Sequence, residues 1–180
     1  YKRQGHTSGV MNMQLLNLGG FRDPAISPDG PTTTAPLDPE IAERNQALVD
    51  EFAGSLYDAP AHTILEWAAE YAPGPVVVTL SMENTVLAEL ASKHLPGADF
   101  LFLDTEYHFP ETLEVADAVE ARYPQHTLVR AKAVLSRSEQ DATYGPSLYL
   151  REPTACCRMR KVEPLAVHMS PYVGWVTGLR

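Results

Sequence analysis

Hydrophobic and polar positions fall into a regular pattern from Asp38 onward. Asp38-Pro39 reads as an N-cap with proline at the first helical position, opening a helix that runs to about Phe52. Ile64, Leu65, Ala68, Tyr71 and Ala72 recur at helical spacing and predict a second helix, ended by Pro73-Gly74-Pro75. Val76 to Leu80 is β-branched and apolar without alternation, as expected of a strand buried on both faces. Ser81 then reads as the cap of a helix whose stripe is Val86, Leu87, Leu90, Ala91 and His94, stopped by Pro96-Gly97. Phe100 to Leu103 predicts a second buried strand with Asp104-Thr105 at its C-terminal end, and Glu111 to Tyr123 a helix. Thr127 to Ala133 is a third strand candidate, and residues 134–155 read as turns and short helix. A helical piece carries Val162, Leu165, Ala166 and Met169, with Pro164 tolerable only in a first turn or at a kink. Tyr172 to Thr177 predicts a further strand.

Strands alternating with helices define an α/β class: a parallel sheet flanked by helices and joined by right-handed crossovers. In such sheets ligands bind outside the C-terminal ends of the strands. That rule selects the turn at Ser81 and the turn at Asp104-Thr105. Residues 1–37 are rich in Gly, Pro and Thr and predict a flexible leader, not necessarily native throughout, that starts with Tyr1 rather than methionine. Residues 38–180 form one domain, and no internal repeat is visible.

Composition narrows the function classes. Hydrophobic residues make up 44% and charged residues 21% of the chain, which excludes wholesale disorder. No apolar run approaches the ~18 residues needed to span a bilayer, so no membrane partner is expected. A net charge of −9 argues against nucleic acid as a partner, because duplex binding rests on neutralising phosphates. The charge is unevenly spread: residues 151–180 hold 5 basic and 2 acidic side chains, against 9 and 21 in residues 1–150. An anionic small molecule therefore has a local positive region near the C-terminus.

The two cysteines are adjacent, Cys156 and Cys157. Consecutive Cα atoms lie about 3.8 Å apart, below the ~4.4 Å that an unstrained disulfide needs. Reduced thiols and the lack of a signal peptide predict a cytoplasmic protein.

Three groups of residues carry candidate chemistry. Ser81-Met82-Glu83-Asn84-Thr85 follows a buried strand and opens a helix, where backbone N–H groups and the helix dipole attract phosphate. Ser81 is equally well explained as a plain helix cap. Asp104 and Thr105 stand where an adenine or ribose would be received, with Tyr107, His108 and Phe109 as aromatic surface; His108 reads more readily as a satisfied loop histidine. Cys156-Cys157-Arg158-Met159-Arg160-Lys161 sets two thiols beside three cations, which favours thiolate and suits metal ligation. Two buried small hydrophobes are the alternative, and the flanking cations weigh against it.

Taken in order, these motifs resemble the assimilatory sulfonucleotide reductases, specifically the actinobacterial type of adenylylsulfate (APS) reductase. The residues that carry the resemblance are Val76 to Leu90, Leu103-Asp104-Thr105, Tyr107 to Thr112 and Glu139-Gln140-Asp141. Cys156 to Leu165 and Trp175-Val176-Thr177-Gly178-Leu179-Arg180 complete it, so that it covers about residues 40–180. It implies an adenine nucleotide α-hydrolase (PP-loop) fold and reduction of APS to sulfite and AMP by thioredoxin- or glutaredoxin-like thiol donors.

The resemblance further implies that Cys156 and Cys157 are two ligands of a 4Fe–4S cluster and that Lys161 links cluster and substrate. Ser81, Asn84, Thr85, Asp104, Thr105 and Arg180 are the substrate-binding positions it implies. Departures are Asn84, where the family usually has Asp, and Glu106, where it usually has Gly after Asp-Thr. Neither a second Cys-x-x-Cys nor the terminal Glu-Cys-Gly-Leu-His segment with the nucleophile occurs, which predicts an N-terminal part of a reductase, inactive alone. A 3′-phospho-APS reductase, a sulfate adenylyltransferase small subunit and a non-catalytic nucleotide- or metal-binding module remain as alternatives.

Overall fold

The computed structural model describes residues 13–14 and 38–178. Apart from Met13–Gln14, the expected leader lies outside the described residues, as does Arg180. Helix α1 (Pro39–Leu56) starts as expected: the Asp38 carboxylate accepts from the Glu40 N–H at 2.8 Å, and Pro39 follows the cap. Helix α2 (Ala61–Tyr71) leads into strand β2 (Val76–Leu80), then α3 (Val86–His94), β3 (Asp99–Asp104), α4 (Pro110–Arg122) and β4 (Leu128–Lys132). Short helices α5 (Arg137–Tyr144), α6 (Leu148–Arg151), α7 (Pro153–Cys157) and α8 (Glu163–Met169) precede β5 (Gly174–Val176). Met13–Gln14, strand β1, pairs antiparallel with β5.

The sheet order is β1-β5-β2-β3-β4, and β5, β2, β3 and β4 run parallel. Period-2 alternation along each strand splits the core in two. Val76, Val78, Leu80, Phe100 and Phe102 face one side and pack with Leu65, Ala68, Ala88, Ala91, Ala116 and Val119 from α2, α3 and α4. Val77, Leu101 and Ala131 face the other side and meet Met169 and Tyr172. Removing each such side chain from water contributes about 1.5–3 kcal/mol, which is why a continuous apolar run, not an alternating one, marks these strands.

Two elements differ from expectation. Ser81 does not cap α3, which begins at Val86 with Thr85 as its N-cap residue. The Ser81 Oγ instead accepts the Glu83 N–H at 3.4 Å, and buried Met82 takes a φ of 60° to turn the chain. A five-residue loop thus separates strand from helix where direct capping was expected. The second difference lies around Pro164, which does sit in the first turn of α8, but α8 continues from α7 through a π-helical turn, Arg158–Val162. The Glu163 N–H reaches back five residues to the Arg158 carbonyl. Proline at 164 has no N–H to donate and its ring crowds the carbonyl four residues earlier, and the wider turn relieves both conflicts.

Strand β2 is tied to β5 by side chains as well as by the ladder. The Trp175 Nε1–H donates to Thr79 Oγ1 at 2.7 Å, and the Thr79 hydroxyl donates to the Val176 carbonyl at 3.3 Å. Replacing Thr79 with Val leaves a half-buried indole N–H without its acceptor. Thr79→Val is expected to lower unfolding free energy by about 1–3 kcal/mol, read from the urea midpoint at constant m-value. An unchanged midpoint would show that this link contributes nothing.

Candidate functional site

Strand order determines where a ligand can enter. The chain runs β2, β3, β4 in one direction, then returns to place β5 on the opposite side of β2. The strand order therefore reverses between β2 and β5, the topological switch point of an open α/β sheet. Ser81 to Thr85 leave one end, and Thr177-Gly178 leave the other. Ser81, Glu83, Asn84 and Thr85 are exposed there, with Met82 buried beneath them. The Asn84 Oδ1 accepts the Val86 N–H at 3.2 Å, whereas Thr85 makes no side-chain cap bond. The first turn of α3 thus presents backbone N–H groups beside open hydroxyls, a setting that favours an anion.

Asp104 and Thr105 end β3, one strand away. Both are buried, at 5% and 8% exposure, and both are engaged. Asp104 accepts the Glu106 N–H at 3.0 Å through Oδ1 and pairs with Lys132 Nζ at 3.2 Å through Oδ2. Thr105 Oγ1 accepts the Tyr107 N–H at 3.3 Å and keeps its own proton for another acceptor. His108 donates from Nε2 to the Leu103 carbonyl at 2.9 Å, with its ring against Phe102, as a satisfied loop histidine does.

The cysteine segment is less uniformly cationic than its sequence suggests. Cys156 is buried and Cys157 exposed, both as free thiols on α7. Arg158 pairs with Glu163 at 3.4 Å, and Arg160 turns inward to Glu106 at 3.2 Å. Lys161 is exposed and in no ion pair among the described residues. Two adjacent soft thiols fit half of a four-thiolate donor set. Among the described residues no three His, Cys, Asp or Glu side chains come together to hold a metal ion. No helix among them is long and apolar enough to cross a membrane.

The inward arginine belongs to a network that the motifs do not reveal. Arg160 donates from Nε to Gln140 Oε1 at 2.7 Å, and Glu106 Oε2 also accepts the Arg137 N–H at 2.6 Å. Glu106 adopts a φ of 60°, so the left-handed conformation is kept without glycine, at a cost on the order of 1–3 kcal/mol. The replacement of glycine at this position is the one signal of the network that the sequence carries.

A parallel sheet whose order reverses between β2 and β5, a strand–loop–helix turn at that point and a helix with two adjacent thiols define an α/β domain of the PP-loop type. The family model of the phosphoadenosine phosphosulfate reductase domain matches residues 75–180, and the chain belongs to that family. It is 47% identical over 149 residues to the adenosine 5′-phosphosulfate reductase of Streptomyces coelicolor, covering 82% of this chain and 62% of that protein. It is 45% identical over 141 residues to the enzyme of the same name from Mycolicibacterium smegmatis, covering 78% of this chain and 56% of that protein. The crystal structure of phosphoadenylyl-sulfate reductase from Candida auris, a phosphate complex, superposes with a TM-score of 0.57 at 27% identity, over 69% of this chain and 62% of that one. The chain spans about three fifths of the length of these relatives.

Helix α5, which carries Gln140, is fixed by a capping box: Ser136 Oγ accepts the Glu139 N–H at 3.3 Å, and Glu139 accepts the Ser136 N–H at 2.7 Å. The Ser136 hydroxyl also donates to Glu139 Oε2 at 2.7 Å, and this bond and the one from the Ser136 backbone N–H hold the Glu139 carboxyl below its ordinary value of 4.5. A depressed carboxyl stabilises the fold above the unfolded value, and that contribution is lost as pH falls through the folded value. Ser136→Ala is therefore expected to lower the thermal midpoint more at pH 7 than at pH 3. An equal drop at both values would exclude the ionised box.

Proposed function

We propose that the chain is the nucleotide-binding part of an enzyme that reduces APS to sulfite and AMP in assimilatory sulfate reduction. The observation that carries this reading is the 47% identity over 149 residues to an adenosine 5′-phosphosulfate reductase, together with a family match over residues 75–180 that includes both the Ser81–Thr85 loop and the paired cysteines. The phosphosulfate lies on the N–H groups and hydroxyls of Ser81, Asn84 and Thr85. The adenosine lies toward Asp104 and Thr105, where the Thr105 hydroxyl proton can meet a ribose or base acceptor. Lys161 and Arg180 hold anionic oxygens.

Cys156 and Cys157 would hold one side of a 4Fe–4S cluster, which adds local charge beside the bound anion. With both cysteines so assigned, the thiol that attacks sulfur is not among these 180 residues. Such a thiolate takes the sulfonate as the sulfur–oxygen bond to AMP breaks. A thioredoxin- or glutaredoxin-like dithiol then releases sulfite and ends as a disulfide. The setting is the reducing cytoplasm, where such donors operate. The name of the family model and the Candida auris structure favour a second reading, the 3′-phosphorylated nucleotide as substrate. The paired cysteines weigh against it, since the resemblance associates them with APS.

Sulfite release from each nucleotide by the full-length protein with a dithiol donor separates the two readings. Release from the 3′-phosphorylated nucleotide alone would replace the first by the second. In calorimetry on the full-length protein, Lys161→Ala is expected to weaken APS binding roughly tenfold or more and adenosine binding little, because a lysine acts on phosphate or sulfate. Equal losses for both ligands would remove Lys161 from the anion site. Cys156→Ser or Cys157→Ser should abolish the iron and acid-labile sulfide of the anaerobically purified full-length protein. Unchanged iron in both variants would take these cysteines out of the ligand set.

A further inference from the structure

Arg160 is the most deeply buried charged side chain among the described residues, at 2% exposure. It sits on the π-helical turn between Cys157 and Glu163. Its Nε donates to Gln140 and its Nη1 to Glu106, while Nη2 has no hydrogen-bond partner. The Gln140 Nε2 and the Tyr107 hydroxyl are also buried without one, and the Arg160 Cζ lies 5.9 Å from the Tyr107 ring centroid. Among the described residues a single carboxylate therefore compensates this buried guanidinium, and it belongs to Glu106.

That carboxylate makes two connections. Oε2 accepts the Arg137 N–H, the first residue of α5, and the Arg160 guanidinium on the π-turn. Glu106 itself follows the end of β3 and holds a left-handed φ of 60° that a long side chain rarely takes. A strained backbone persists where the surroundings over-determine it. Here the compensation is electrostatic, since an unpaired buried cation would otherwise leave the interior for water. With Arg160 drawn in, residues on either side of the turn are pointed: Cys156 inward, Cys157 and Lys161 outward.

We infer that Glu106 is a positioning residue: by holding Arg160 inside, its carboxylate sets the faces on which Cys156, Cys157 and Lys161 emerge. The placement matters because of the reading proposed above, on which it rests. The geometry itself is testable without cluster or substrate.

The test is thiol-selective labelling of the metal-free, reduced chain, with Cys156 and Cys157 quantified separately by mass spectrometry. In the unaltered chain Cys157 should label quickly and Cys156 slowly. Glu106→Gln and Glu106→Gly both remove the carboxylate, but only the glycine variant relieves the backbone. The two should therefore differ in denaturation midpoint, with Glu106→Gly the more stable and the better suited to the assay. Both should raise the Cys156 to Cys157 labelling ratio by about tenfold, as release of a local lock does. Arg160→Met should raise it similarly, and adding Glu106→Gly to Arg160→Met should change nothing further. An unchanged ratio in Glu106→Gly, a ratio that follows midpoint rather than carboxylate, or additive effects in the double variant would each overturn the inference. Iron analysis of the full-length protein is independent of this: a raised ratio in a protein that binds no iron would keep the positioning role and remove the cluster.

Discussion

The return of the chain from β4 to the far side of β2 is the constraint from which the rest of the candidate site follows. Had β5 added beyond β4, each crossover would have covered the strand ends of its neighbour in the same sense. Instead β5 pairs with β2 through Val76, Val77 and Val78, and the strand order reverses there. Thr79 and Trp175 add a side-chain link across the same pair, so the mouth of the crevice is held by its floor. Buried Met82 completes this by anchoring the loop from below while its polar neighbours stay exposed.

One strand over, a second turn does different work. Asp104 and Thr105 spend acceptor capacity on the N–H groups two residues ahead, which folds 104–107 tightly on itself. Such local bonding is what short polar side chains do in turns. It leaves the Thr105 proton and the remaining lone pairs of Asp104 for a ligand, a more restricted offer than two free side chains. Lys132 next to Asp104 further offsets its charge, so an anionic nucleotide is not repelled there as strongly as the bare carboxylate implies.

Much of this was legible in the chain. Val76 to Leu80 and Phe100 to Leu103 announce buried strands because no polar residue interrupts them, and the structure places β2 and β3 there. Asp38-Pro39 announces α1, because cap and proline act locally. The start of α3 was not legible. Ser81 has the chemistry of a cap, and nothing local says that the chain needs five residues to turn from strand to helix. Arg160 was invisible for a stronger reason. Its burial depends on Glu106, 54 residues earlier, and a long-range charge pair leaves no periodic trace. The count of cations beside the thiols was correct, yet it said nothing about which of them face water.

That last point changes how a chain of net charge −9 can attract an anion. Of the five basic residues in 151–180, Arg151 bonds the Tyr144 and Gly145 carbonyls that end α5, Arg158 faces Glu163, and Arg160 is neutralised inside by Glu106. The positive region inferred from composition thus reduces, among the described residues, to Lys161. One exposed lysine has a short reach, since the Debye length is about 8 Å at physiological ionic strength. Attraction over longer distances is therefore weak, and the anion must be held at contact range. The fixed dipoles at the start of α3 act at that range and need no titrating group. The division of labour in the proposed reading follows from these magnitudes: backbone N–H groups would bind the anion, and Lys161, aimed by a turn whose neighbouring charges are already paired, would select its position.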